Sequence, residues 1–534
     1  MSLVEEKSPI GPEPHTSEAL PGRTRDEDLL ASLGYKQELK RSFSPWELFG
    51  IAFSFIGLFP SIASVLVYAI PNGGPVAMVW GWAACVPFLT CVALALAELG
   101  SAAPTSGGLY YWTHTFSSPS YKNVLSWVVG YSNSVEIVAG GASCGWGLAL
   151  QIMAAVSIGS DMTFVPTTAQ NFGVYAAVLL FQGVICSVAV KYIARLQTVY
   201  VILNVVLCLA IIIGLPAATP TELKNTASFA FGDFQNFYNW PNGYAFILSF
   251  LAPLWTVGGL EASIHLSEEA SNANVAVPWA IIASVTIANV IGWGINVALA
   301  FNMGTDMESI LNSPVGQPMA AILFNSFGNR GTLAVWAIAV VVQFMVGISV
   351  ITVGSRQIFA FSRDGALPFS HILRRVNTYT CTPIYSVWFV VIVSLVLGLL
   401  AFVGPAAIGT VFSLAIAGQC TAYVIPISAR FLGRNEFKRG VFHLGVFSLP
   451  VAIVAVLWLV FNLVIIIFPT TPAPTAAEMN YTVAIWGGTI AISLVYYYFP
   501  RYGGRSWFRG PVSTLQETAF ESGSIVQVDV DKAL

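Results

Sequence analysis

Apolar residues run through this chain in long blocks separated by short polar stretches. Twelve blocks are long enough to cross a bilayer, near 46–70, 75–99, 123–157, 172–191, 197–217, 243–265, 278–301, 332–355, 384–403, 406–431, 444–468 and 482–500. A hydrocarbon core of about 30 Å takes roughly 20 residues of helix to span. The pattern therefore predicts an all-α polytopic membrane protein with twelve transmembrane helices.

Two of the blocks are interrupted, at corresponding places in two halves of the chain. Residues 49–70 contain Ile56-Gly57-Leu58-Phe59-Pro60-Ser61, and residues 244–265 contain Thr256-Val257-Gly258-Gly259. An unpaired backbone amide or carbonyl in hydrocarbon costs several kcal/mol, so a broken spanning helix persists where its freed groups line a cavity or hold a ligand. Paired breaks of this kind predict a secondary transporter with its site near the midplane. Amides freed around Gly57 to Ser61, the turn that carries Leu58 and Pro60, would donate to a carboxylate, and carbonyls freed at Thr256, Val257, Gly258 and Gly259 would accept from an ammonium. The alternative is a simple kink at Gly57 and Pro60, repaired by a neighbour such as Ser61.

Composition agrees with the pattern. Of 534 residues, 56% are hydrophobic and 9% charged, with a mean hydropathy of +0.73; an average soluble protein has roughly a quarter of its residues charged. With both termini placed in the cytosol, Lys224 and Arg330 are the only two of the 23 Lys plus Arg left outside. This asymmetry is the positive-inside signature. Residues 1–42 are polar and proline-bearing and are expected to be a disordered cytosolic tail, residues 43–500 the transporter domain, and 501–534 a second cytosolic tail. The net charge of −3 adds nothing to that division. No disulfide framework or metal-ligand spacing is visible among the seven cysteines. The chain has no Gly-Lys-Ser/Thr phosphate loop and no His-Glu-x-x-His or paired Cys-x-x-Cys spacing, so the expectation is a non-enzyme with no catalytic residues, no cofactor, no metal and no nucleic-acid partner. One sequon, Asn480-Tyr481-Thr482, lies in an expected outer loop close to a span.

Several segments carry a family resemblance. They are Gly34-Tyr35-Lys36-Gln37-Glu38-Leu39-Lys40-Arg41, Phe49-Gly50-Ile51-Ala52-Phe53-Ser54, Pro60-Ser61-Ile62-Ala63-Ser64, Ala97-Glu98-Leu99, Pro104-Thr105-Ser106-Gly107-Gly108-Leu109-Tyr110-Tyr111-Trp112, Ile193-Ala194-Arg195-Leu196-Gln197, His265 with Ser267-Glu268-Glu269-Ala270, and Ser355-Arg356 with Ala360-Phe361-Ser362-Arg363-Asp364. In this order, over residues 34–500, the chain resembles the fungal GABA and choline permease branch of the amino acid-polyamine-organocation superfamily. The opening motif is most similar to that of GABA permeases. The resemblance implies a LeuT-like five-plus-five inverted repeat, helices one to five and six to ten, with discontinuous helices one and six around the substrate.

Polar residues inside the blocks are the candidate chemistry. Glu136 sits mid-span, where an ionised carboxylate costs at least ~3 kcal/mol, so it should face a cavity or a partner. Asn133, Glu136, Gly140 and Cys144 share one small or polar helical face. The resembling permeases more often carry a neutral residue at Glu136, frequently glutamine, so this carboxyl would favour a cationic group or take up a proton; otherwise it is a protonated structural link between helices. Glu261, where the resembling permeases usually carry aspartate, leads in steps of four to His265 and Glu269, with Glu268 adjacent. On a regular half-helix these form one titratable face toward the cytosol, suited to proton release, or else a solvated helix end that gates by ion pairing. Gln343 resembles a residue retained in the GABA permeases and is a candidate substrate contact, or an interhelical hydrogen bond. Asn204 occupies a place where some proton-coupled members carry lysine.

These features predict a permease importing GABA or a related amino acid by proton symport, with a small amine-bearing solute, the proton and the lipid bilayer as partners. Choline or polyamine transport, and a non-transporting nutrient sensor, are the rival readings. The plasma membrane is the expected location, with the vacuolar membrane as alternative.

Overall fold

The computed structural model describes residues 25–512 apart from 40, 189, 436 and 477. Of the two expected tails, residues 1–24 and 513–534 lie outside the described residues. Contacts divide the chain into one unit of Met1–Gln37 with Ser513–Leu534, and a second of Glu38–Val512. The first contains helix α1, Arg25–Ser32, whose first turn holds Asp26, Glu27 and Asp28 against the positive end of the helix dipole.

The second unit is built of helices. Among the described residues, strand pairing is limited to two isolated bridges, Phe43 with Ala270 and Asn72 with Asn236. Helix α2, Pro45–Ile56, opens on a capping box: Ser44 Oγ accepts from the Glu47 amide at 3.3 Å, and Glu47 Oε2 accepts from the Ser44 amide at 2.8 Å. It is followed by α3, Leu58–Ala69, and then α4, Gly74–Ala102, whose π-helical turn spans Ala77–Gly81. The short helix α5, Gly108–Phe116, leads into the 38-residue α6, Lys122–Gly159. Next come α7, Thr168–Val188, and α8, Tyr192–Ala218.

The expected sixth span is divided into α9, Asn242–Leu248, α10, Leu251–Thr256, and α11, Ala262–His265. Beyond it run α12, Ala273–Asn302, and α13, Pro318–Arg363. The last four are α14, Ile384–Phe402, α15, Pro405–Leu432, α16, Gly445–Ile465, and α17, Val483–Tyr498.

Among the described residues ten helices are long and apolar enough to cross a membrane, counting α2 and α3 together. The remaining two expected spans are the divided sixth and the shorter α17, so length alone does not mark them. The eighth block, expected at 332–355, belongs to a longer helix. Its extension begins at Pro318, a favourable first helical residue, and bends at Gly328, where φ is 66°.

Helix α6 is enclosed by α13 and α15, while α12 packs against α2 and α4. The broken pair α2 and α3, together with α6 and α15, is the most thoroughly buried part of the bundle. Outer helices leave Ile213, Val290 and Ile492 exposed, which costs nothing against acyl chains. The chain therefore forms a polytopic membrane protein whose most polar spans lie at its centre.

Candidate functional site

The first break is set by Gly57. Its φ of 52° lies in the left-handed region, and a Cβ there would stand 2.2 Å from Val346 Cγ2, so both conformation and space require glycine. The freed Ile56 carbonyl accepts from Ser61 Oγ at 2.7 Å. The Gly57 amide donates to the Phe53 carbonyl at 3.1 Å and the Ser61 amide to the Gly57 carbonyl at 2.9 Å. Pro60 has no amide, and its carbonyl accepts from Gln151 Nε2 at 2.9 Å and from Ser64 Oγ at 2.9 Å. Repair by Ser61 is thus part of this break.

The second break runs from Val257 to Glu261, between α10 and α11. Gly259 has a φ of 70°, and the Phe55 ring lies where its Cβ would be, at 2.0 Å. The two breaks therefore touch through Phe55 and Gly259.

Between them is a small cavity of about 30 Å³. Its walls are Phe55 and Ser61 from the first broken helix, Trp255, Gly258 and Gly259 from the second, and Glu136, Gly140 and Cys144 from α6. Val350, Ala415, Ile416 and Gln419 complete them. Glu136 is the only charged side chain in the lining. Asn133 Nδ2 donates to Glu136 Oε2 at 2.9 Å, and the Glu261 carboxyl lies within hydrogen-bonding reach of the Glu136 carboxyl. The Tyr423 hydroxyl donates to Glu261 Oε2, and Gln419 Nε2 donates to Tyr423 Oη at 3.1 Å.

Other expected residues stand behind this wall. Gly57, Leu58, Pro60, Thr256 and Val257 shape the breaks without lining the cavity. Gln343 is fully buried and donates from Nε2 to the Cys144 carbonyl at 3.1 Å, which makes it an interhelical link in this structure. A transmembrane amide is as well satisfied by a neighbouring carbonyl as by a ligand.

The half-helix beyond the second break is not regular. Helix α11 makes one turn, and Ser267–Glu269 forms a 3-10 turn, so steps of four no longer keep one face. His265 Nδ1 donates to the Ser106 carbonyl at 2.8 Å. Glu268 pairs with Arg363 at 3.2 Å and accepts from the Ser106 amide at 3.0 Å, whereas Glu269 pairs with Arg356 at 2.7 Å. The Glu269 carbonyl also accepts from the amides of Ser42 at 3.0 Å and Phe43 at 3.1 Å. The expected continuous ladder is replaced by separate ties, and the ion pairs are buried instead of solvated. They fasten the segment before α2, the turn before α5 and the end of α13 to the turn after α11.

On the opposite side, Trp255 meets Phe412 at a ring separation of 4.8 Å, and Phe412 meets Tyr68 at 5.5 Å. Tyr68 also lines a second space of about 60 Å³ bordered by Asn72, Thr410 and Glu478. The cavity is bounded by aromatic rings toward one face and by buried ion pairs toward the other.

Gln419, Tyr423 and Trp255 were not singled out from the sequence. The available signal was a glutamine and a tyrosine four residues apart in an apolar block, a polar stripe that marks an inward face.

A cavity between two broken helices of a membrane bundle, with a buried carboxyl in its wall, is the architecture of a transporter. The chain belongs to the amino acid permease family, whose pattern it matches over residues 43–489. It is 38% identical over 494 residues to an uncharacterized amino-acid permease of Schizosaccharomyces pombe, covering 92% of this chain and 89% of the relative. It is 37% identical over 498 residues to the GABA-specific permease of Saccharomyces cerevisiae, covering 92% and 86%. Identity to amino-acid permease 2 of Neurospora crassa is 33% over 485 residues, covering 91% and 88%.

Proposed function

We propose that this permease imports GABA or a related amine-bearing amino acid by symport with protons. It acts in the plasma membrane with both termini in the cytosol, so the face carrying Arg356 and Arg363 is cytosolic. The observation that carries the reading is the cavity itself: it joins both helix breaks and presents one carboxyl, Glu136, with no lysine or arginine in the lining. An ammonium group is held by Glu136 and by the carbonyls of the second break, while Ser61, set in place by the Gly57-to-Pro60 turn, faces the other end of the solute. Glu261 supports Glu136, and Gln343 holds α6 in place from behind. The likeness to a GABA-specific permease supports the choice of solute.

Proton coupling draws on Glu136 and Glu261, and gating on His265, Glu268 and Glu269, whose ties must part for the cavity to open inward. Separable contacts on either side, the aromatic rings and the ion pairs, agree with alternating access.

Choline or a polyamine is the second reading. It is favoured by the provision for a cation at Glu136, set against the engagement of the Gly57 and Ser61 amides with their own helix backbone. The test is uptake of labelled GABA by transporter-deficient cells expressing the chain, at acidic and neutral external pH, with choline, putrescine or proline in excess. Saturable uptake that rises with acidity and resists choline is expected. Absence of GABA uptake at confirmed surface expression overturns this choice of solute, and labelled choline or putrescine then decides the second reading.

A further inference from the structure

Two carboxyls meet at the centre of this bundle without a basic partner. Glu136 is 5% exposed and Glu261 fully buried. Buried ion pairs engage Glu98, Glu268 and Glu269, and among the described residues no lysine or arginine pairs with either central carboxyl. The titratable groups facing the pair are Tyr423 and Cys420 from α15 and His265 from α11.

Each outer oxygen is tied. Asn133 donates to Glu136 and Tyr423 to Glu261, while Glu261 Oε1 is buried with no hydrogen-bond partner among the described residues. Two like charges in contact in a site of low dielectric cannot both persist without a counter-ion. A carboxyl and a carboxylate sharing one hydrogen bond satisfy the geometry.

We propose that Glu136 and Glu261 hold a single proton between them and act as one site for both the coupling proton and the solute's ammonium group. The pair then carries one negative charge. That charge balances one ammonium, so a zwitterionic or monocationic amine binds with the proton still in place. A diamine requires the proton to leave, and it competes less well as the pH falls.

A route onward is also present. A carbonyl only accepts, so the hydrogen bond to Ser106 places the His265 proton on Nδ1. Nε2 is left as an acceptor, buried and without a partner among the described residues. When the ties of Glu268 and Glu269 part and water enters, the pair no longer sits in a site of low dielectric, and His265 Nε2 takes its proton and passes it to water, leaving two hydrated carboxylates.

This inference rests on the transport reading, and two measurements keep them apart. The first uses purified full-length protein in proteoliposomes, with labelled GABA, choline or putrescine, whichever the uptake panel identifies, supplied outside. Expected is stimulation of wild-type uptake by an inward proton gradient, lost in Glu261→Gln. Glu136→Gln also loses it, with KM raised about tenfold, or ~1.4 kcal/mol. Putrescine should inhibit more strongly as pH rises. Gradient stimulation retained in both variants overturns the shared site while leaving the transport reading in place.

The second measurement needs no flux. Dicyclohexylcarbodiimide adds to a protonated carboxyl in an apolar setting, and mass spectrometry locates the adduct. Labelling of Glu136 or Glu261 at neutral pH, suppressed by excess GABA, is expected. Absence of label at both positions overturns the shared proton. Labelling in a protein that moves none of the solutes overturns the transport reading alone.

Discussion

Gly418 lets helix α15 lie directly against Glu136: a Cβ on Gly418 would stand 2.8 Å from the Glu136 amide nitrogen and 2.7 Å from the Ser132 carbonyl oxygen. Both obstacles are backbone atoms and cannot rotate away. This approach brings Gln419 and Tyr423 to the two carboxyls.

Gly418→Ala is therefore expected to push α15 away from α6 and to break the Tyr423 to Glu261 contact. Overpacking of this kind costs about 1–3 kcal/mol. Transport per surface molecule should fall at least tenfold, a threshold of ~1.4 kcal/mol in transition-state terms. Wild-type uptake by the alanine variant would contradict the close approach.

The Glu268 to Arg363 pair is buried, with side chains 0% and 5% exposed. Removing one partner of a buried pair typically costs about 3–5 kcal/mol, because the other charge is left uncompensated. Arg363→Gln is expected to lower the melting temperature in detergent, and the double variant with Glu268→Gln to recover part of the loss. A double variant showing the sum of the single losses would show that the pair does not act as a unit.

Asp364 follows directly after α13 and accepts from the Tyr110 hydroxyl at 2.6 Å and the Val512 amide at 3.0 Å. Burial pushes its carboxyl up to about 6 from an ordinary 3.8, outweighing the opposing pull of Arg363 and these two hydrogen bonds. The folded chain then binds this proton more tightly than the unfolded one. Its stabilisation is complete below about pH 4 and lost as pH rises through about 6, an effect of about 3 kcal/mol. Melting temperature followed across that window should decline less steeply in Asp364→Asn than in wild type. Parallel curves would contradict the assignment.

Asn480 is part of the only sequon, yet its Nδ2 donates to the carbonyls of Ile466 at 2.9 Å and Phe468 at 3.0 Å. The nitrogen that would carry a glycan is committed to holding the loop. Treatment with an endoglycosidase should leave electrophoretic mobility unchanged. A shift in mobility would mean that this loop is modified before it folds.

What the sequence disclosed and what it concealed follow from the range of the interactions. The first break was legible because glycine and proline lie three residues apart in an apolar block, and both act on their own backbone. Glu136 was legible because a mid-span carboxyl demands an explanation wherever it points. The polar face from Glu261 to Glu269 holds only on a regular half-helix, and the chain instead tightens after a single turn, which leaves the alternative of ion pairing. Gln343 stays open between ligand contact and an interhelical bond in the sequence, because an amide's position does not reveal which carbonyl it meets. Tyr423 was concealed for the opposite reason: its partner, Glu261, is 162 residues away, and only the packing at Gly418 brings them together.

The most direct measurement is saturable uptake of labelled GABA at acidic and neutral external pH, comparing wild type with Glu136→Gln at matched surface expression. Wild-type uptake that rises with acidity, and a variant reduced at least tenfold (~1.4 kcal/mol) with no response to acidity, is the predicted result. Equal uptake with the same pH response in both proteins would contradict the placement of the solute and proton at Glu136.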